Sequence, residues 1–283
     1  MSKGMDVAVL GTCNLDFISR VSRFAGADEE VNMDQLHQST GGSAANSAST
    51  LSELGIKTGV ISRVGEDYGG NLIRQSLTDK GIGTERIVSL DKPTGMAFIA
   101  VDDQGERSIY VHMGANAHFQ LLDEDRTYIE DAKALHLTGM YWEVVEEASQ
   151  YAEVLSFNPG MLLSSLGLSK LKKTIMRADI LFLNQKEASI LTGMEPSIGA
   201  EYLVERGVPR VILTMGRAGA ALYTPHEKIT SPAAEATVTD TTGAGDTFAA
   251  AFLASHLQGN DGSECLKKAN QVASRQVEMW GGF

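Results

Sequence analysis

The chain has 283 residues, 43% of them hydrophobic and 21% charged, which is enough apolar content for a real buried core. Its 36 acidic against 24 basic side chains give a net charge of −12, which repels nucleic acid and anionic membranes and excludes both as expected partners. No apolar run approaches the ~18 residues of a membrane span, the start MSKGMDVAVLG has no secretion signal, and two distant cysteines, Cys13 and Cys265, fit a reducing setting, so a cytoplasmic protein is expected.

Asp6-Val-Ala-Val-Leu10 reads as a short buried strand closed by Gly11. Segments 15–24 and 31–38 alternate with period two. Gly41-Gly42 opens a small-residue helix, Ser43 to Leu54, which Gly55 ends. A β-rich run, Thr58 to Val64, precedes a helix from Tyr68 to Lys80. Thr94–Asp102 and Arg107–Met113 read as a hairpin around Asp102-Asp103-Gln104-Gly105. From about residue 130 the rhythm becomes strand then helix. Strands are expected at 134–138, 154–157, 180–183 and 211–214, with helices at 169–177, 185–192 and 198–206 between them. Short apolar strands alternating with helices predict an α/β fold with a parallel sheet covered on both faces. Blocks 15–38 and 94–113 do not fit that sheet and read as a small appended β-sheet, a lid. Without repeats or linkers, residues 1–283 are expected to form one domain with the lid inserted.

The stretch Val238-Thr-Asp-Thr-Thr-Gly-Ala-Gly-Asp-Thr-Phe248 precedes an apolar helix. Gly243-Ala244-Gly245 leaves backbone N–H groups bare at the helix start, facing an incoming anion. Asp246 beside them cannot serve to bind phosphate, because like charges repel. It makes sense where a neutral hydroxyl must lie next to the phosphate and lose its proton, as in phosphoryl transfer. The helix end favours an ionised, weakly basic Asp246; the blander alternative is an ordinary first-turn acid. Asn184 and Glu187 follow a strand three residues apart, suited to phosphate oxygens and a water-ligated Mg²⁺ or equally to a capping box. Thr214-Met-Gly216-Arg-Ala-Gly219 permits close approach of a nucleotide or simply turns the chain between two strands. Asp16, in Asn14-Leu-Asp16, and Asn46, in Gly41-Gly42-Ser43-Ala-Ala-Asn46, suit the hydroxyls of a polyol; alternatively Asp16 is a solvated loop acid and Asn46 is satisfied by local backbone. The Walker, nucleophile-elbow, zinc-protease and Cys-x-x-Cys patterns are absent from the sequence. His112 and His118 read as surface or lid residues, and Met140, Met161, Met176 and Met215 as core filler.

These stretches occur together in one order, and the chain resembles the ribokinase-like (PfkB) family of carbohydrate and nucleoside kinases over essentially its whole length. The resemblance implies a ribokinase-like three-layer α/β/α fold with a mostly parallel central sheet and a small β-lid. It implies Asp246 as catalytic base and Gly243, Ala244 and Gly245 as anion hole. Asn184 and Glu187 would organise Mg²⁺ and the triphosphate of ATP; Thr214, Gly216 and Gly219 would contact the nucleotide, and Asn270 the adenine. Asn14, Asp16, Gly42 and Asn46 would contact the substrate. The segment Asp240–Thr242 resembles part of a monovalent cation (K⁺) site of some members, and pairing through the lid into a homodimer is common among them.

Several positions depart from the family pattern. Phe157-Asn158-Pro159-Gly160 has an amide where the family often has Asp. Ser43 replaces the lysine of ribokinase proper, and Leu137-Thr-Gly-Met140 lacks its Gln-Leu-Glu-like stretch. Both weaken ribose as substrate. The usual C-terminal extension is expected to be short or missing after Gly281-Gly282-Phe283. The reading is ATP-dependent phosphorylation of a hydroxymethyl group on a small sugar. A nucleoside kinase is the alternative, with Phe17, Phe98 or Tyr110 forming a slot for the base or else lid core. A non-catalytic sugar or nucleotide sensor is the remote alternative, disfavoured because base and cradle glycines are all present.

Overall fold

The computed structural model describes residues 4–237 and 241–278. Asp240 and Gly281–Phe283, singled out above, lie outside them. The first half of the chain contains β1 (Met5–Leu10), β2 (Asn14–Val21), β3 (Met33–Gly41), α1 (Ser43–Glu53), β4 (Thr58–Gly65), α2 (Tyr68–Asp79), β5 (Gly83–Leu90), β6 (Gly95–Val101) and β7 (Arg107–His112). The second contains α3 (Asp123–Glu130), β8 (Ala132–Leu137), α4 (Trp142–Ser149), β9 (Leu155–Phe157), α5 (Gly160–Ser164), α6 (Leu168–Arg177), β10 (Ile180–Asn184), α7 (Gln185–Thr192), α8 (Pro196–Glu205), β11 (Val211–Thr214), β12 (Ala220–Tyr223), β13 (Lys228–Ser231), α9 (Ala244–Leu257) and α10 (Gly262–Gln276).

Nine strands form one sheet in the order β13-β12-β11-β10-β9-β8-β1-β4-β5. It is parallel except at β12 and β13, which add antiparallel at one edge. Side chains alternate between sheet faces, so β1 feeds two cores. Val7 and Val9 join α1, α9 and α10 on one face, and Ala8 and Leu10 join the helices on the other. That double burial is why β1 reads as an unbroken apolar run. α9 is buried along 247–255, and its alanines let it pack closely on the equally small-sided α1. No helix among the described residues is long and apolar enough to cross a membrane.

The lid is a four-stranded sheet, β3-β2-β6-β7. Its two central strands, β2 and β6, run parallel, and each outer strand is antiparallel to its neighbour. Asn14 pairs with both Gly41 and Gly95, and Met96 with His112. All four passages between lid and body therefore lie at one end of the lid, within one residue of the same register row. One lid face carries Asp16, Ile18, Ile99 and Arg107; the other carries Phe17, Phe98 and Tyr110. At the tip, Asp102 Oδ1 accepts from the N–H groups of Gln104 and Glu106, both at 2.9 Å, fixing the β6–β7 turn where the turn-rich tetrapeptide lies.

β5, β13, α3, α4 and α5 were not marked by sequence pattern. β5 is a half-buried strand, and β13 an exposed edge strand of four residues. Met140 is core, but Met161 is 37% exposed on the short α5, so it does not fill core as expected. Cys13 and Cys265 are both free and buried.

Candidate active site

The carboxyl ends of β9, β10 and β11 and the start of α9 enclose a cleft of about 220 Å³. Gly243 caps α9 in the left-handed region (φ 74°), a backbone state that favours glycine, and no side chain occupies the cap. Ala244 N–H donates to Thr241 O at 3.3 Å and Thr247 N–H to Gly243 O at 2.8 Å. Among the described residues nothing accepts from the N–H groups of Gly245 and Asp246. Two donors at the positive end of a 14-residue helix thus open beside the cleft.

Asp246 lines the same cleft. Its Oδ2 accepts from Asn46 Nδ2 at 3.2 Å and its Oδ1 from Asn158 Nδ2 at 3.3 Å. Removal from water pushes its pKa up to about 7, the Asn46 amide opposes this, and the charge of Glu187 adds to it. The weak, ionised base expected from the helix end is thereby corrected. Desolvation outweighs the helix end here, because it penalises the charged form directly.

Asn184 and Glu187 form a reciprocal capping box on α7. Glu187 N–H donates to Asn184 Oδ1, and Asn184 N–H to Glu187 Oε2, both at 2.9 Å. Both residues also line the cleft, so cap and cleft wall are one arrangement. Burial raises the pKa of Glu187 while its bonds with Asn184 lower it. Thr214, beside Asn184 in the register, lines the cleft as well.

Gly216 and Gly219 make the turn between β11 and β12. A side chain at Gly219 (φ 94°) would meet Ser231 O at 2.1 Å, whereas Gly216 (φ 56°) faces open space. Asn270 is 7% exposed, and its Nδ2 donates to Ser231 Oγ, Ser231 O and Pro232 O at 3.0–3.2 Å. It ties α10 to the end of β13 and does not line the cleft.

Of the remaining expected contacts, Asn46 is joined directly to Asp246 and not to its own helix backbone. Asp16 is 4% exposed on β2 and is no solvated loop acid. Gly41 makes room for it, since a Cβ there would stand 2.0 Å from Asp16 Oδ2. Asn14 Oδ1 accepts from Asn116 Nδ2 at 3.0 Å. Gly42 (φ 92°) precedes α1, with Thr12 O only 2.5 Å from where a Cβ would lie. Two departures noted in the sequence touch each other: Ser43 Oγ donates to Thr138 Oγ1 at 2.9 Å.

Arg107 was not singled out by any motif. From the first residue of β7 it reaches into the cleft, and its Nη1 donates to Thr242 Oγ1 at 3.2 Å. Only the lid pairing, which puts Arg107 opposite Val101 on the Asp16 face, reveals it. The same alternation corrects the aromatic slot. Phe17 stacks on Phe98 with centroids 5.2 Å apart, but on the opposite lid face from Asp16 and Arg107.

The model of the pfkB family carbohydrate kinases matches residues 5–281. The chain is 31% identical over 99% of its length to a nucleoside kinase of Methanothermobacter thermautotrophicus, covering 92% of that protein. It is 33% identical to an ATP-dependent ribose-1-phosphate kinase of Halopiger xanaduensis, over 92% of this chain and 88% of the other. The structure of Arabidopsis thaliana ribokinase complexed with ribose and ATP superposes with a TM-score of 0.86 at 28% identity, covering 98% of this chain and 94% of that one. With its sheet, its lid and its cleft-side α9 motif matched along nearly the whole chain, this protein belongs to the pfkB family of carbohydrate kinases and is a kinase of the ribokinase fold.

Proposed function

We propose that residues 1–283 form one kinase domain that transfers the terminal phosphoryl group of ATP to a primary hydroxyl of a small sugar. The observation carrying this reading is Asp246, a cleft carboxylate pushed toward neutrality beside two N–H groups that have no acceptor among the described residues. The acceptor hydroxyl hydrogen-bonds to Asp246 and attacks phosphorus, and its proton passes to the carboxylate as the new O–P bond forms. The bond to the ADP oxygen breaks, and the N–H groups of Gly245 and Asp246 take up charge on the transferring group. Asn46 and Asp16 hold the acceptor, and Arg107 brings the lid over the cleft, which excludes water. Asn184, Thr214 and the Gly216–Gly219 turn face the nucleotide.

Glu187 and Asp246 are two carboxylates close enough that the charge of one raises the pKa of the other. Such a pair suits a hard divalent cation, and Glu187 would hold Mg²⁺ through water. When bound, Mg²⁺ neutralises the triphosphate. The K⁺ expectation bears on Asp240, outside the described residues.

Half-exposed Ile109 (49%) and Val111 (54%) share the lid face of Arg107. They favour a nucleoside as second acceptor class, with aliphatic in place of aromatic walls. The reverse lid face exposes Met33, Leu36, Phe98 and Tyr110, an apolar patch suited to lid-to-lid pairing of two copies. Light scattering on the wild type and Tyr110→Glu tests that pairing; a monomeric wild type overturns it. ADP release with ribose, deoxyribose, ribose 1-phosphate, fructose, adenosine, inosine and cytidine tests the reaction. Turnover with a sugar supports the first reading, turnover with nucleosides alone selects the second, and stabilisation without any turnover points to a sensor.

A further inference from the structure

The second amide on Asp246 has no part in the reaction just described. Asn158 follows β9, its backbone N–H donates to Leu137 O at 2.8 Å, and its side chain lines the cleft. Pro159 comes next and restricts Asn158 to extended backbone. The residue is therefore held from both sides before its side chain is considered. Its Nδ2 reaches Asp246 Oδ1 at 3.3 Å, while Asn46 from α1 reaches Oδ2 at 3.2 Å.

We propose that Asn158 is a positioning residue for Asp246: with Asn46 it clamps the carboxylate, one amide to each oxygen, and fixes the plane in which the base meets the acceptor hydroxyl. This rests on the reading of Asp246 as base. The terminal torsion of an aspartate is broad and roughly two-fold, so a carboxylate on a single anchor swings. Two anchors on separate elements stop that swing. Each oxygen keeps a lone pair for the substrate, because each accepts only one amide. In this chain, where an amide stands in place of the family's frequent Asp, the clamp requires a donor as well as a shape. A carboxylate there would lack the N–H and bring a like charge against Asp246. The requirement is specific to Asp246, since among the described residues no other side chain accepts from the Asn158 amide.

The test measures kcat and KM with ATP and whichever of the seven acceptors above turns over fastest. The enzymes are wild type, Asn158→Ala, Asn158→Asp, Asp246→Ala and the Asn158→Ala/Asp246→Ala double variant. Asn158→Ala is expected to lower kcat by ~10- to 100-fold, as for a misplaced catalytic group. KM for ATP and for acceptor should stay within ~2-fold. Asn158→Asp has the same shape and should fall at least as far, which keeps the question open to measurement if the alanine variant folds poorly. In the Asp246→Ala background the Asn158→Ala change should alter the residual rate by less than ~2-fold, because a residue acting through Asp246 has nothing left to position. Wild-type kcat in Asn158→Asp, or a full additive loss in the double variant, overturns the clamp while leaving the kinase reading intact. A wild-type enzyme silent with every acceptor overturns both.

Discussion

Asn46 in α1 and Asp246 in α9 stand 200 positions apart in sequence, yet amide and carboxylate meet at 3.2 Å. The contact joins α1 to the carboxylate that lines the cleft. It places a polar bond at the margin of the small-sided α1–α9 interface, where Thr50 Oγ1 also donates to Thr247 Oγ1 at 3.5 Å.

Asp246→Asn keeps the side-chain shape and the cleft but removes the proton acceptor. We expect kcat to fall by at least ~10³-fold with nucleotide affinity changed little, since general base catalysis and the alignment it maintains are lost together. Isothermal titration with ATP alongside steady-state kinetics checks both halves. Wild-type turnover in this variant would remove Asp246 from the base role.

The raised pKa of Asp246 also makes stability depend on pH. A carboxyl group with a native pKa of about 7 keeps its proton in the folded chain, after the unfolded chain has lost it. Between about pH 4 and 7, folding therefore binds a proton and this group's contribution falls as pH rises. Melting curves of the ligand-free wild type and Asp246→Asn should diverge across that window, with the variant the more stable of the two toward pH 7. Parallel curves would show that the carboxyl is ionised throughout. Under the same titration, kcat/KM should rise with pH and level off above an apparent pKa near 7.

Gly245 separates folding from chemistry. It sits in the first turn of α9 with nothing within 4 Å of a built Cβ, and it lines the cleft. Gly245→Ala should stabilise the helix by up to ~1 kcal/mol, while its methyl group intrudes where the phosphoryl group approaches. A higher melting temperature with a ~10²-fold slower turnover is the expected pair of results, a loss comparable to that of one oxyanion donor. Unchanged kinetics would place the phosphoryl group elsewhere.

Glu187→Gln should leave the α7 cap nearly intact, because a glutamine oxygen can still accept from Asn184 N–H. What it removes is charge. The Mg²⁺ concentration for half-maximal rate should rise ~10-fold, comparable to losing an outer contact of a metal. An unchanged Mg²⁺ dependence would exclude Glu187 from that role.

Asn270→Ala discriminates between a strut and an adenine contact. Loss of the bonds to Ser231 and Pro232 should destabilise the chain by ~1–3 kcal/mol with KM for ATP unchanged. A selective rise in KM for ATP, with the melting temperature held, would restore the nucleotide role.

The alternating half of the fold was legible because β10 and β11 are buried on both faces over Ile180–Leu183 and Val211–Leu213 and are apolar there, and β8 departs from that only at Lys133 and His136. β5 and β13 hid because half-exposed strands carry mixed side chains, and α3 because its acidic first turn, Asp123-Glu-Asp125, masks a thin apolar stripe. At the site, Gly243–Asp246 announced itself through local chemistry, because a glycine-capped helix start followed at once by a carboxylate is written in one short segment. Arg107 and the working contact of Asn158 did not. Both depend on long-range pairing, across the lid in one case and between β9 and α9 in the other, and no spacing within a single segment encodes that. The aromatic slot failed for the opposite reason. Residue type suggested it, and strand parity, Asp16 against Phe17, forbids it.

The four lid passages, at Asn14, Gly41, Gly95 and His112, all lie at one end of the lid within one residue of a single register row. A plate fastened along a single edge keeps one easy degree of freedom, rotation about that edge, like a page on its spine. Asp16 near the spine and Arg107 at the outer margin must then sweep through different arcs in the same swing. Small rotations barely displace Asp16, yet they carry the Arg107 guanidinium several times farther, so the two move in fixed proportion about one backbone hinge.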